Sequence, residues 1–504
     1  MMVKFLCKLP WVLLMLLGAA VTHAAEETAI PAMLERVLPA VVTVAVEETA
    51  TGDAPYGFAG GSAAAYRRVL DLASASSCGS GFLIEYKRKT YVITNAHVVE
   101  SAAGDQGLFV YTPNQTKYPV RVVGGDTFYD IAVLAFTENL PEAPVQALTF
   151  RDDDIAIGER VFAIGNARCH KPYSISDGII GGKNRFLDGL TSKFGHLQST
   201  ATVTWGNSGG PLVDANGHVV GINSRIEINE KEGQMIIHPQ MNYALEGLLA
   251  QRLIHDILTH DGRVRRAFLG IEVAEYVSGK SPRGMAVNPL VLISVMPDSP
   301  AAAVLGDASR GLRMVAINGV KTRNVEEVLG ALEQVAPGAE VTLTLENRRG
   351  QVQDFTIAST ELTLERLAAW ARYFLNRHGA AEATEHRGMI RLRVVLSDDA
   401  EDAHGQRRIP QKVSLFVNEE GDLQKQHLEA MNHAALETFV VLAGAYPNDF
   451  WRVRSLADLG IAVRLAALGG YVHLIPWKGD NERLQILQIG LTDEPGMLAK
   501  TLFY

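Results

Sequence analysis

The sequence has little cysteine, one long apolar run and no excess of positive charge. Its three cysteines, Cys7, Cys78 and Cys169, are spaced too widely for a zinc cluster. The absence of a second apolar run predicts no stable membrane span after leader removal. The formal net charge of −9 argues against nucleic acid as a partner. No motif for a metal or nucleotide is present, so no cofactor is expected.

The first 24 residues have the pattern of a secretory signal peptide. Lys4 and Lys8 precede the apolar stretch Trp11 to Val21, and small residues ending at Ala24 offer a cleavage site. Cleavage removes these two lysines and no acid, so the formal charge would change from −9 to −11. We therefore expect a periplasmic or secreted protein, with an uncleaved membrane anchor as the alternative.

The remaining chain is long enough for two to four domains. Short β-branched segments separated by turn residues predict about two six-stranded antiparallel barrels within residues 30–240. A helix is predicted over Met241 to Leu258, and residues 266–358 return to short strands with one helix, Asn324 to Gln334. Residues 361–504 are predicted to form an α+β domain. In it, Leu362 to Leu375 and Leu423 to Gly444 are predicted helices.

A glycine-flanked serine stands out in the stretch Thr204 to Leu212. Glycine allows backbone angles that other residues resist, so Ser208 can lie on a tight turn with its hydroxyl exposed. The same turn can aim the N–H groups of Gly206 and Ser208 at one point, as in an oxyanion hole. A hairpin with an incidental serine is the alternative when this stretch is taken alone.

Two upstream residues complete a candidate catalytic set. His97 follows a β-branched strand in a small-residue turn, where an imidazole can act as general base and then acid. Asp130 directly precedes the apolar strand Ile131 to Thr137, and a buried carboxylate there can orient the histidine. Asp126 is a rival acid, but its glycine and threonine neighbours favour a turn residue.

The order His97, Asp130, Ser208 is that of double-barrel serine proteases, and the sequence resembles the HtrA (Deg) family of secreted trypsin-like proteases. The resemblance covers roughly residues 30–360. The matching motifs are Thr94 to Val99, Asp130 to Leu134, Ala163 to Asn166, Gly206 to Leu212 and Cys78 to Phe82.

The resemblance implies a mainly β fold with a signal peptide over 1–24, a trypsin-like protease domain over 25–258 and a peptide-binding PDZ domain over 259–360. It implies an endopeptidase for unfolded or misfolded proteins, with homo-oligomeric assembly as trimers or larger cages. A non-proteolytic chaperone or peptide-binding scaffold, and a regulatory protease with one dedicated substrate, remain alternatives.

The residues expected to set the cleavage specificity differ most from the family pattern. Trp205 stands where the family usually has proline. Arg225 follows Asn223 and Ser224 on the strand expected to line the specificity pocket, where relatives carry small residues. Because no acid marks this pocket, we expect it to disfavour basic residues.

In the expected PDZ domain, the amides of Leu269, Gly270 and Ile271 are candidates to bind a peptide carboxylate as a backbone nest. A degenerate copy that only packs on the protease domain is the alternative, since the usual Gly-Asp before Val315 is missing. The apolar chain end, Ala499 to Tyr504, is of the type such a groove suits. It is either an internal ligand of that groove or a segment that packs on the last domain.

Cys78 and Cys169 are candidates for a disulfide, since both remain after signal cleavage in an oxidising compartment.

Overall fold

The computed structural model describes residues 29–46, 77–99, 107–113, 116–126, 128–138, 147–167, 171–186, 189–190, 195–231, 234–276, 290–306 and 311–378. Beyond residue 380 it describes 381–386, 389–395, 412–417, 422–423, 439–445, 449–452, 460, 471–477, 487–490 and 499–504. The predicted signal peptide over 1–24 and the glycine- and alanine-rich segment around residues 49–76 lie outside these ranges.

Six strands form a closed antiparallel barrel in the order β1-β2-β3-β6-β5-β4. A helix over residues 29–37 (α1) and the 3₁₀ turn Leu38–Ala40 precede it. The short helix Ala96–Val99 (α2) follows β3. The strands are Val41–Val46 (β1), Ser77–Tyr86 (β2), Lys89–Thr94 (β3), Leu108–Tyr111 (β4), Lys117–Asp126 (β5) and Ile131–Phe136 (β6).

A second group of strands pairs in the order β10-β13-β12-β11-β7-β8, and an additional β10–β8 pairing closes it into a barrel. Two six-stranded barrels, as predicted from the short β-branched segments, are therefore confirmed. The strands are Arg160–Ala167 (β7), Lys171–Phe186 (β8), Gly189–Leu190 (β9), His196–Ser199 (β10), Pro211–Asp214 (β11), Val219–Lys231 (β12) and Gln234–Glu246 (β13).

The helix Gly247–Thr259 (α3) follows the second barrel and corrects the sequence prediction. The helix was expected from Met241, but residues 241–246 belong to β13, which pairs with β10 and β12. Leu245 is fully buried as a strand residue, while Leu249, Leu253 and Ile257 form the buried face of the helix. The helical spacing of these leucines therefore spanned two different elements.

A further sheet, here called the β15 sheet, has the order β20-β19-β17-β16-β15-β30, with β18 paired to β17. Helices Ala302–Leu305 (α4) and Val325–Leu332 (α5) accompany it, and α5 packs against β15 and β30. Its strands are Ile271–Tyr276 (β15), Leu290–Val295 (β16), Arg313–Ile317 (β17), Val320–Lys321 (β18), Glu340–Glu346 (β19), Val352–Ala358 (β20) and Ala499–Phe503 (β30). A two-stranded sheet pairs Ala267–Phe268 (β14) with Thr360–Glu361 (β21).

The rest of the described chain consists of the helix Leu364–His378 (α6) and an eight-stranded antiparallel sheet. The predicted helix Leu423 to Gly444 is wrong at both ends, because Leu423 belongs to a short strand and the run that begins at Phe439 is a strand. The strands are Ala381–His386 (β22), Met389–Val395 (β23), Lys412–Val417 (β24), Asp422–Leu423 (β25), Phe439–Ala445 (β26), Asp449–Arg452 (β27), Tyr471–Trp477 (β28) and Leu487–Gly490 (β29).

Within the part of the chain that the structure describes, no helix has both the length and the apolar character needed to cross a bilayer.

Candidate active site

His97 lies on α2, at the point where the chain leaves β3 of the first barrel. Val98 is fully buried and Val99 nearly so, and they anchor this single turn to the barrel core. The close packing leaves no room for a side chain at Gly79, where a Cβ would lie 2.6 Å from Cγ2 of Val98. The imidazole is therefore presented from a rigid base, with its side chain 14% exposed.

Asp130 lies in the turn between β5 and β6, directly before the buried strand β6. Its backbone has a φ of 57°, a left-handed conformation that aspartate tolerates better than most non-glycine residues. The Nδ2 group of Asn95, itself fully buried, donates to the Asp130 carbonyl at 2.7 Å and holds this turn. The chain thus uses a strained residue to aim one carboxylate at His97.

The carboxylate of Asp130 accepts two hydrogen bonds from His97. His97 Nδ1 lies 2.8 Å from Oδ2, and the His97 backbone N–H donates to Oδ1 at 3.0 Å. Since an ionised carboxylate only accepts, Nδ1 is the protonated nitrogen and Nε2 is left as the base. Burial favours the neutral acid, but the hydrogen bonds from His97, together with its positive charge when it is protonated, outweigh burial and lower the pKa of Asp130 from its ordinary value.

Ser224 is a further partner of the same carboxylate. Its hydroxyl donates to Oδ2 of Asp130 at 2.7 Å, and its side chain is buried on β12. The sequence predicts Ser224 only as a specificity residue and does not predict this contact. Two residues 94 positions apart give no local signal for pairing, although a serine on a buried strand requires some polar partner.

Ser208 follows one tight turn, residues 204–207, and lies within a second, residues 207–210, that leads into β11. The N–H of Asn207 donates to the Thr204 carbonyl at 3.0 Å, and Gly206, the third residue of this turn, has a φ of 94°. This positive φ is typical of a type II turn and explains the need for glycine. A second turn follows, where the N–H of Gly210 donates to the Asn207 carbonyl at 3.0 Å.

The amides predicted to form an oxyanion hole belong to these two turns, Gly206 to the first and Ser208 to the second. Among the described residues, no acceptor pairs with the N–H of Gly206 or of Ser208. Ser208 is only 8% exposed, so these amides lie in a largely water-excluded region. Uncommitted donors of this kind are what a developing oxyanion requires.

Ser80 connects the turn to both barrels, a role that the sequence does not predict. Its hydroxyl donates to the Gly206 carbonyl at 2.6 Å and accepts from the Asn166 N–H at 2.7 Å. Its backbone N–H donates to the Ser208 carbonyl at 2.8 Å. Ser80 is fully buried, and it stands between two glycines in the stretch that matches the family pattern at the start of the first barrel.

The other predicted specificity residues have different surroundings. Asn223 is buried and its Nδ2 group donates to the Pro211 carbonyl at 3.1 Å, so its side chain braces the β11–β12 pair. Trp205 is partly exposed beside the turn. The cationic charge of Arg225 contributes to the lowered pKa of Asp130. Burial lowers the pKa of His196 to about 4, and the positive charge of Arg225 is the second contribution to this lowering.

The amides of Leu269, Gly270 and Ile271, predicted to bind a carboxylate, converge on one acceptor. All three donate to the main-chain oxygen of Tyr504, at 3.3, 2.8 and 3.0 Å respectively. The last residues of the sequence thus lie at the edge of the β15 sheet.

Cys78 is fully buried on β2 and is disulfide-bonded. Cys169, its predicted partner, lies outside the described residues, so this pairing stays a prediction.

Comparison with known proteins identifies similar sequences. A family model described as a trypsin-like peptidase domain matches residues 79–222. A probable periplasmic serine endoprotease DegP-like of Chlamydia trachomatis is 31% identical over 299 residues, 57% of this chain and 54% of that protein. The serine endoprotease DegS of Salmonella typhimurium is 30% identical over 277 residues, 53% of this chain and 72% of that protein.

The chain spans about half the length of the DegP-like relative from Chlamydia. Among solved structures, an HtrA-type protease AlgW with tripeptide is 25% identical with a TM-score of 0.48, and the match covers 66% of this chain and 96% of that chain.

Proposed function

This chain belongs to the HtrA (Deg) family of trypsin-like serine proteases, and on that premise we propose that it is a serine endopeptidase that cleaves unfolded polypeptides. The observation that carries the proposal is the His97–Asp130 hydrogen bond of 2.8 Å, made by an ionised carboxylate that leaves Nε2 of His97 as the base. Periplasmic relatives and the predicted signal peptide support a periplasmic or secreted location.

In the proposed reaction, the Ser208 hydroxyl attacks the peptide carbonyl while His97 Nε2 removes its proton. The amides of Gly206 and Ser208 stabilise the negative oxygen of the tetrahedral intermediate. His97 then protonates the leaving amine, and an acyl-enzyme remains on Ser208. Water, deprotonated by His97, releases the acid product.

Asp130 does not need to accept a proton at any step. The lowered pKa of Asp130 keeps its carboxylate ionised while His97 becomes positively charged, so the carboxylate stabilises the imidazolium as it forms. Ser224 contributes a hydrogen bond that fixes Oδ2, the oxygen that also faces His97 Nδ1.

We also propose that the β15 sheet is a PDZ-type module that binds peptide carboxyl termini by strand addition. The support is the convergence of the Leu269, Gly270 and Ile271 amides on a single main-chain oxygen. Gly270 has a φ of 79°, and a Cβ there would lie 2.2 Å from Cβ of Ser299, so this cradle requires glycine.

The test combines a fluorophosphonate probe with the Ser208→Ala variant. We expect the probe to label Ser208 in the wild-type protein, located by peptide mass mapping. The variant should lose labelling, and its cleavage of unfolded casein should fall by several orders of magnitude. Near-normal cleavage by Ser208→Ala, in a variant with an unchanged circular dichroism spectrum, would overturn the proposal.

A further inference from the structure

The last strand of the described chain belongs to the β15 sheet, not to the eight-stranded sheet that precedes it. β30 pairs antiparallel with β15, with Phe503 opposite Glu272 and Ala499 opposite Tyr276. The pairing continues at Tyr504, whose N–H donates to the Ile271 carbonyl at 3.1 Å. Residues 499–504 therefore occupy the sheet edge at which a peptide would add as a strand.

The side chain of Tyr504 is buried at the end of this strand, with 4% of the residue exposed. It packs in the same apolar core as Val325, Val328 and Leu329 of α5. Its hydroxyl donates to Oε1 of Glu333 at 3.3 Å. The position is thus an apolar pocket with one carboxylate at its base, which suits a phenol and gives a phenylalanine no partner.

Glu333 is held in place by two arginines. Nε of Arg266 donates to Oε1 at 2.9 Å, and Nη2 of Arg252 donates to Oε2 at 3.3 Å. Glu333 is only 1% exposed, so these cations keep its charge in a buried position. The carboxylate that meets Tyr504 is therefore a fixed acceptor and does not depend on the tail for its orientation.

Arg266 also contacts the first barrel, close to the proposed catalytic acid Asp130. Nη1 of Arg266 donates to Oδ2 of Asp126 at 2.7 Å, and Oδ1 of Asp126 accepts from the Tyr129 N–H at 2.9 Å. Asp126 is thus the turn residue that the sequence predicted. Tyr129 directly precedes Asp130, so the pocket for Tyr504 borders the turn that carries the catalytic acid.

From these contacts we propose that the groove between β15 and α5 selects peptides ending in tyrosine, through Glu333, and that residues 499–504 of this chain are its resident ligand. An external peptide must displace this segment to bind. The inference rests on the proposed peptide-binding role of the β15 sheet, and it does not require proteolysis.

Occupancy by a tethered segment raises the concentration that an external ligand needs. A flexible tether gives an effective concentration in the millimolar range, so even a weak intrinsic affinity keeps the groove filled. Removing the segment should therefore strengthen external peptide binding by about ten- to a hundredfold. Because a hydrogen bond to a charged group is strong, a peptide ending in phenylalanine should bind about tenfold more weakly than one ending in tyrosine.

The experiment measures fluorescence anisotropy of the labelled hexapeptide Ala-Lys-Thr-Leu-Phe-Tyr. The proteins are the full chain carrying Ser208→Ala and the same chain ending at Leu498. The shortened chain should bind the probe at least tenfold more tightly. It should bind the amidated hexapeptide, and the one ending in phenylalanine, more weakly than the probe. Equal probe affinity in both chains, or equal affinity for all three peptides, would contradict the proposal.

Two point variants guard against misfolding of the shortened chain. Tyr504→Phe in the full-length Ser208→Ala protein removes only the hydroxyl, so the probe should bind several-fold more tightly than to the parent. Tyr373→Phe is the matched control, because its hydroxyl donates to the Val295 carbonyl at 3.1 Å outside the groove. An equal effect of the two substitutions would reject the Glu333 contact. If fluorophosphonate labelling fails while peptide binding is retained, the proposed protease activity is rejected and the proposed peptide groove is not.

Discussion

Replacement of Ser80 by alanine tests whether the catalytic turn depends on a hydroxyl in the first barrel. The Ser80 hydroxyl joins the Gly206 carbonyl, at 2.6 Å, to the Asn166 N–H, at 2.7 Å. Both contacts are buried, so water cannot replace the lost partner without entering the core. Alanine therefore leaves one carbonyl and one N–H unpaired between the two barrels.

The expected magnitude follows from those two groups. A buried polar group left without a partner costs about 1–3 kcal/mol, so with two such groups the free energy of unfolding should fall by roughly 2–6 kcal/mol. The Gly206 carbonyl belongs to the turn that aims the oxyanion amides. Loss of one oxyanion donor typically lowers kcat by about 10²–10³-fold, and a displaced donor should cost at least about tenfold, with little change in KM.

Urea unfolding monitored by tryptophan fluorescence gives the stability change, and steady-state cleavage of an unfolded polypeptide gives kcat and KM. Ser176→Ala is the matched control, because its exposed hydroxyl donates to the Thr202 carbonyl at 2.6 Å in the second barrel. That variant should lose under about 1 kcal/mol and keep its kcat. The reasoning fails if Ser80→Ala matches Ser176→Ala in both stability and kcat.

Three further predictions concern other parts of the chain. Burial, followed by repulsion from Asp154, raises the pKa of Glu246 to about 7, against a usual value of 4.5. Its contribution to stability is therefore largest below about pH 4.5 and is lost by about pH 7. Glu246→Gln should be more stable than wild type at pH 8 by roughly 3 kcal/mol but not at pH 4.5, and equal pH dependences in urea unfolding would exclude this. A disulfide between Cys78 and Cys169 should protect both thiols from alkylation and, in the chain-entropy model, stabilise by about 4–5 kcal/mol; two alkylated thiols in the unreduced, denatured protein would rule it out. Because the cation of Arg225 lies near the active site, a peptide library should show little cleavage after lysine or arginine, and efficient cleavage there would refute the assignment.

The barrels were predictable because their strands are short, β-branched and separated by turn residues. The strand predicted over Ile131 to Thr137, for example, differs from β6 by one residue at its end. The start of α3 was not predictable in the same way. Leu245 and Leu249 have helical spacing, yet Leu245 is buried by strand pairing and Leu248, between them, is 38% exposed. Tertiary packing decides such a boundary.

Candidate site residues fell into two groups. His97, Asp130 and Ser208 could be proposed because each has a local signal, a turn or a strand start that presents its side chain. The role of Ser80 and the contact of Ser224 with Asp130 could not, because they come only from contacts with residues 126 and 94 positions away. A serine inside a buried strand shows that a partner exists, but only the fold identifies it.

Strand β30 gives the carboxy-terminal part of the chain two points of attachment to one sheet. At the first, the Tyr373 hydroxyl of α6 donates to the Val295 carbonyl of β16 at 3.1 Å; at the second, residues 499–503 pair with β15. The roughly 120 residues between His378 and Ala499 therefore form a closed loop, which opens whenever β30 detaches. The entropy of closing a flexible loop grows only with the logarithm of its length, by about 0.6 kcal/mol per doubling. This loop contains the eight-stranded sheet, so the relation applies to flexible segments inserted between its strands. Insertions that double the length of the loop should change the occupancy ratio of the groove by less than about threefold, so the tail stays bound.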